Sequence, residues 1–232
     1  MTERPILFSG PMVRAILDGR KTQTRRVVKH QPPFGVAPIS VSRYHPTIVD
    51  RRGEEAPGAE IFGAFSDDGE WGCKSPVGEP GDRLWVRETC SAIELDSGLD
   101  GVRYPSDGAF LPIEGSTDAA ERWIELHAYR GQKGAIVPAI HMPRWASRIT
   151  LEITGVRAER LQSISEPDAR AEGVTIEDHH MRGYCAGAFR PPSIRAFHDL
   201  WDSLNAARGY GWDTNPWVWV VEFKQIAAPA GE

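Results

Sequence analysis

Short, strongly patterned segments are held apart by long stretches with no period, and that rhythm limits what the chain can become. Glycine takes 23 of the 232 positions and proline 18. Two blocks break the pattern most, about residues 30 to 80, rich in Pro, Gly and acidic side chains, and about 94 to 140. Repeated strand–helix–strand units need regular alternation of periods, which these gaps interrupt. The spacing therefore predicts an α+β chain: a small, mostly antiparallel sheet or barrel with flanking helices and two loop-rich insertions. Within the insertions, Ile61 to Phe65 is a candidate strand and Asp118 to Trp123 a candidate short helix.

Between the gaps the periods are legible. Leu84, Val86 and Glu88 share one strand face, and Trp85, Arg87 and Thr89 the other. Ile149, Leu151 and Ile153 alternate with Arg148, Thr150, Glu152 and Thr154 in the same way, and Trp217 to Lys224 reads as a largely buried strand. Three segments read as helices. The first runs from Ser9 as N-cap to Gly19 as left-handed stop, with Met12/Ile16 and Val13/Leu17 as its apolar pairs. The second runs from Ser165 to Glu172 and closes at Gly173. The third spans Pro191 to Ala206, with Ile194, Phe197, Leu200, Trp201 and Leu204 on one face. A single domain over residues 1–226 is expected, followed by a frayed tail at 227–232.

Apolar residues make up 41% and charged residues 25%, with no run near the 18 apolar residues of a membrane span, so a soluble protein is the default. Three widely spaced cysteines, Cys73, Cys90 and Cys185, form no disulfide framework and fit a reducing cytoplasm. His179, His180 and Cys185 lack the spacing of a zinc site, and no glycine-rich nucleotide motif is present, so neither metal nor cofactor is expected. Net charge is −5, but residues 1–30 hold seven Lys/Arg against Glu3 and Asp18, a local +5 on a body of −10. A protein coating long nucleic acid would show a broad basic face. A local basic pocket suits a small or single-nucleotide ligand better.

That pocket centres on Gly19-Arg-Lys-Thr-Gln-Thr-Arg-Arg, which sets one amine, two hydroxyls and three guanidiniums in eight residues. Crowded cations depress a lysine pKa, and a neutral Lys21 can take the proton of Thr24 and make its hydroxyl an attacking group. Residues 21 and 24 face opposite sides of an extended strand, so the pairing needs a bend just after Gly19. Glu152 is the candidate to orient the lysine or protonate a leaving amine, with Glu88 its rival. A carboxylate on the apolar face of Leu84 and Val86 must be paired, with an arginine as the expected partner, or lie at the sheet's open end. Arg25, Arg26, Trp85, Trp145 and Arg148 are candidates to stack on a base or fork onto oxygens. Trp201, Trp217 and Trp219 read as core.

These segments resemble a family. Gly19-Arg-Lys-Thr-Gln-Thr-Arg, Pro80-Gly-Asp-Arg-Leu-Trp-Val-Arg, Leu151-Glu-Ile-Thr-Gly-Val and the terminal Trp-Val-Val-Glu-Phe-Lys strand look like the ASCH domain, a PUA-like β-barrel superfamily, in matching order from about Pro5 to Ile226. The long layout resembles its phage and prophage branch. Compact bacterial members remove the acetyl group of N4-acetylcytidine, and their catalytic Lys, Thr and Glu fall on Lys21, Thr24 and Glu152. Arg25 and the two insertions depart from those enzymes. The resemblance implies an amidohydrolase acting on N4-acylated cytosine nucleosides or nucleotides, free or within RNA, without cofactor and away from membranes. A module that binds RNA or a modified base without turnover is the alternative, and an RNA-cleaving enzyme is less favoured on an acidic body.

Overall fold

Where apolar residues alternate most cleanly, the chain forms strands with one dry side. The structure, a computed structural model, describes residues 1–36, 38–176 and 191–226. In chain order the principal elements are β1 (Glu3–Leu7), α1 (Gly10–Leu17), β2 (Gln23–Val27), β3 (Ile39–Tyr44), β4 (Thr47–Val49), β5 (Glu55–Pro57), β6 (Ile61–Ser66), β7 (Gly72–Lys74), β8 (Arg83–Arg87), β9 (Ser91–Glu94), β10 (Asp100–Arg103) and β11 (Phe110–Pro112). They continue with α2 (Thr117–His127), β12 (Thr150–Arg160), α3 (Glu166–Ala171), α4 (Pro192–Asn205) and β13 (Trp217–Ile226). Most strand pairs are antiparallel: β2 with β13, β3 with β6, β6 with β7, β4 with β5, β9 with β10, and β10 with β11. β1 and β8 are the parallel pair, which their wide separation in sequence allows. The α+β class and its antiparallel bias are thus as expected.

The chain divides into two compact units. One comprises Met1–Thr2, Arg20–Asp82 and Glu152–Lys224. Here β12, β13 and β2 lie side by side in that order, and the core gathers Leu161, Ile164, Ala169, Phe197, Trp201 and Trp212 with Val218 and Val220 of β13. α3 is fixed at its start by a capping box: the Ser165 side chain accepts from the Asp168 N–H, and Asp168 accepts from the backbone of Ser165. Gly173, at φ 78°, ends it as predicted. The other unit comprises Glu3–Gly19, Arg83–Leu151 and Gln225–Glu232. Its core joins Cys90, Ala92, Val102, Tyr104, Trp123, Leu126 and Met142.

Several expectations need correction. Residues 30–80 hold β3 to β7, not merely loops with one strand. Three of these elements span three residues each, too short to show a period, and β3 alternates only between half-buried and exposed positions. The helix expected at Asp118–Trp123 runs on to His127, with Trp123 and Leu126 buried. On α1 the buried side chains are Val13, Ala15 and Ile16, while Met12 is half-buried and Leu17 exposed; on α4 Leu204 is exposed and Ser193, Ala196 and Asn205 are buried instead. In both helices the buried stripe takes in small residues that hydrophobicity alone does not select. Trp201 and Trp219 are core residues as read; Trp217 is half-buried beneath the Arg160 guanidinium, 5.0 Å from its ring. The expected tail lies outside the described residues.

Candidate functional site

The basic octet does not form an open patch. Gly19 takes φ 71°, the left-handed stop a residue with a Cβ would resist. Lys21 then makes a single antiparallel bridge to Glu172, and the Thr22 N–H donates to the Ala171 carbonyl at 2.9 Å. Only from Gln23 does the chain become regular strand, in register with Glu222 to Val218 of β13. The start of the octet is therefore stitched to the end of α3.

Lys21 is buried at 4% exposure. Its Nζ donates to the Glu172 carbonyl at 2.8 Å and to Glu172 Oε2 at 3.0 Å. The other oxygen of that carboxylate accepts from Arg25 Nη1 at 3.1 Å. Arg25 Nη2 donates to Glu159 Oε1 at 2.6 Å and stands 3.4 Å from Asp168 Oδ2. Arg157 continues the chain: its Nε donates to Glu159 at 3.2 Å, its Nη2 to Asp168 at 2.9 Å, and its Nη1 to Glu222. Phe197 of α4 closes one side, its ring 5.7 Å from the Arg25 guanidinium carbon. Arg25 Nε is buried with no acceptor. Among the described residues three cations thus meet four carboxylates, in a cluster that is dry around Lys21, Arg25 and Glu172 and partly exposed at Arg157 and Glu222.

Burial dominates the titration of Lys21 and pushes its pKa below the ordinary lysine value; Arg26 and Arg25 add to that, and Glu172 opposes it through charge and hydrogen bond. For Asp168 burial pushes the pKa up, but the Ser165 hydrogen bond and the charges of Arg25 and Arg157 outweigh it and leave the group below its usual value. The depressed lysine is the chemically suggestive member. A neutral amine held against a carboxylate can accept a proton, and a charged surface lysine cannot.

The other sequence candidates fall in different places. Thr24 is buried on β2 opposite Val221. Gln23 and Arg25 both turn toward Asp168, so by alternation Thr24 leaves β2 on the other side, and the route from Lys21 to Thr24 runs around the strand's start. Glu152, expected opposite Lys21, is instead a half-exposed residue of β12 whose Oε1 lies 2.9 Å from Lys224 Nζ. Among the described residues the carboxylate on Lys21 is that of Glu172. Arg26 is half-buried opposite Trp219.

Trp85, Glu88, Trp145 and Arg148 belong to the other unit, where Glu88 and Arg148 pair and the two tryptophans have other neighbours. Glu88 does hold an arginine, as burial on an apolar face required: Arg148 Nε donates to Oε1 at 2.8 Å and Nη2 to Oε2 at 3.1 Å. Asp107, Ser106 and the Tyr104 ring take the remaining sides of the same guanidinium. Trp85 is only 8% exposed, with the guanidinium carbons of Arg87 and Arg144 at 4.8 and 5.8 Å from its ring, and Trp145 packs half-buried on the core. The Trp85 ring is thus flanked by two of the protein's own guanidiniums.

Sequence reasoning missed Glu172, Glu159 and Asp168. One local signal was present: Glu172 sits at the C-cap of α3, where a negative charge opposes the helix dipole unless cations face it. Neither described cysteine is an activated nucleophile, since burial raises the Cys73 thiol and pushes Cys90 up to about 12. Among the described residues no group of His, Cys, Asp and Glu could hold a metal, and no helix is long and apolar enough to cross a membrane. His179, His180 and Cys185 lie outside the described residues. Comparison with protein-family models, with curated proteins and with solved structures finds no match to this chain.

Proposed function

We propose that this chain is a cytoplasmic amidohydrolase of the ASCH type, on a PUA-like barrel, that removes the acyl group from N4-acylated cytosine nucleosides or nucleotides. The observation that carries this reading is Lys21: a buried amine with a lowered pKa, seated on a carboxylate, three residues before a buried threonine. Neutral Lys21 takes the Thr24 hydroxyl proton as the oxygen bonds to the amide carbon. The C–N bond then breaks, and the cytosine amine leaves with the proton that Lys21 returns. Water, activated by the same amine, releases the acyl group as a carboxylic acid and restores Thr24. No cofactor is required.

Glu172 replaces Glu152 in the role of orienting the lysine, because it is the carboxylate that Lys21 holds. The test is incubation with N4-acetylcytidine and chromatography for cytidine, with wild type, Lys21→Ala, Thr24→Ala, Glu172→Gln and Glu152→Gln. Loss in the first three with retention in the last supports the assignment. Binding of the nucleoside with no turnover overturns the hydrolase in favour of a modified-base binder.

A further inference from the structure

Arg25 reads in the sequence as a ligand-binding side chain, yet its guanidinium is engaged inside the fold. The residue is buried. Its Nη1 donates to Glu172 Oε1 at 3.1 Å, while Lys21 Nζ donates to Oε2 of the same carboxylate at 3.0 Å. Each oxygen of Glu172 therefore has its own cation, and a carboxylate that turns out of this plane weakens both bonds. Nη2 of Arg25 is fixed in turn by Glu159 and Asp168, which Arg157 also binds. The Phe197 ring lies against the guanidinium carbon. A planar fork held at both ends is pre-organised, which a flexible ammonium in its place is not.

Among the described residues, the charges that face Lys21 are Glu172 at the end of α3 and Arg25 and Arg26 on β2. Those that face Arg25 are Glu172 and Asp168 from α3 and Glu159 from β12. Arg157 stands behind these acids, and Glu222 of β13 binds Arg157 where the cluster meets solvent. Glu172 favours the protonated amine. Arg25 opposes it twice, by its own positive charge and by taking one oxygen of the carboxylate. Without Arg25, Glu172 is left to Lys21, and Glu159 and Asp168 lose a cation. Each of these changes favours the proton on Lys21. We propose that Arg25 is a positioning residue: it fixes which oxygen of Glu172 meets Lys21 and how much of that charge the amine feels, and so keeps Lys21 available as a proton acceptor. It acts on the substrate only through Lys21. This rests on the hydrolase reading for the reaction, but not for the coupling between the two cations.

The test follows Lys21 itself as well as turnover. With isotope-labelled lysine, magnetic resonance of the chain gives five Cε signals for five lysines, and the one missing in Lys21→Ala is that of Lys21. Its position is recorded against pH in wild type, Arg25→Gln, Arg25→Lys and Glu159→Gln, beside pH profiles of kcat/KM on N4-acetylcytidine. Arg25→Gln should move the Lys21 midpoint upward by about 1–3 pH units. Below the midpoint kcat/KM should then fall roughly tenfold per unit moved, and recover as pH rises. Arg25→Lys keeps the charge but not the fork and should fall between the two. Glu159→Gln should move the midpoint the other way, because Arg25 then turns more of its charge on Glu172. Damage to the fold lowers activity at every pH and does not move the midpoint in opposite directions. If Arg25→Gln fails to fold, Arg25→Lys and Glu159→Gln decide by the same signs. A midpoint unmoved by the Arg25 substitutions, or raised by Glu159→Gln, overturns the proposal, and turnover by the wild type then leaves the hydrolase standing. Opposite shifts of the Lys21 signal with no turnover in wild type do the reverse: the coupling stands and the hydrolase falls.

Discussion

At the scale of single residues, Lys21 decides most of what can be tested. Its pKa in the folded chain is below the ordinary value, chiefly through burial, and only the neutral amine can act as base. As pH rises through that lowered pKa, kcat/KM on an N4-acylated cytosine should therefore climb and then level off, with the midpoint below about 10.4. A profile flat from neutral pH to beyond that midpoint would remove the lysine from the reaction. Lys21→Ala should cut kcat by roughly 10²- to 10⁴-fold, the usual worth of a positioned base. The lysine was legible because its neighbours are all polar; its partner was not. Glu172 is 151 positions away, and nothing in a strand alternation such as that of Glu152 reports which distant carboxylate closes on it. The Glu88–Arg148 pair makes the complementary case. Burial on an apolar face demanded a cation, and one is there, though spacing could not say which. Glu88→Ala should destabilise by about 1–3 kcal/mol in urea unfolding, because Arg148 loses its bidentate carboxylate while Asp107 still faces it. Replacing both members by apolar residues should cost clearly less, and an equal loss would refute the pair's interdependence.

Elements were readable where one face is dry along several consecutive turns or pleats. β8 and β12 show this: Leu84, Val86, Ile149, Leu151 and Ile153 are all buried where alternation put them. β3 to β7 were not readable as strands, because the pairing that defines them is made with other short strands and leaves little period in each. Backbone proximity holds them together instead. A Cβ added at Gly63 of β6 would stand 2.3 Å from the Cys73 carbonyl oxygen on β7. Gly63→Ala should therefore separate β6 from β7 and expose Cys73 to thiol reagents faster than in wild type. Unchanged labelling would show that the strands can yield. At α3 the capping box has a second task, since Asp168 also receives Arg157 and faces Arg25. Ser165→Ala should cost about 1 kcal/mol as a lost cap and also loosen the anchoring of Arg25.

For the whole molecule, the uneven charge of the sequence acquires a physical meaning. Part of the early excess of cations is turned inward: Lys21 and Arg25 are buried against acids more than 130 positions further along the chain. The sum of charges was readable, but its neutralisation depended on the fold. Stability should then follow pH on two sides. Glu3, Asp107 and Asp168 all have folded pKa values below their usual ones: Arg144 lowers Glu3, Arg148 lowers Asp107, and Ser165 and Arg25 outweigh burial at Asp168. Their contribution is full above the unfolded values of about 3.9 for Asp and 4.3 for Glu, and it fades as pH falls through the lower folded values. Lys21 acts at the alkaline end with the opposite residue chemistry and the same sign. Its folded pKa is below its unfolded one, so between the two the unfolded chain binds more protons and stability rises with pH. Urea midpoints of wild type and Lys21→Met, measured from pH 7 to 10, separate this term from every other group. The wild type should gain on the variant as pH rises, because the buried lysine sheds a charge that the unfolded chain keeps. A difference that stays constant over that range would mean Lys21 is fully charged in the fold, and the proton acceptor of the proposed reaction would have to be sought elsewhere.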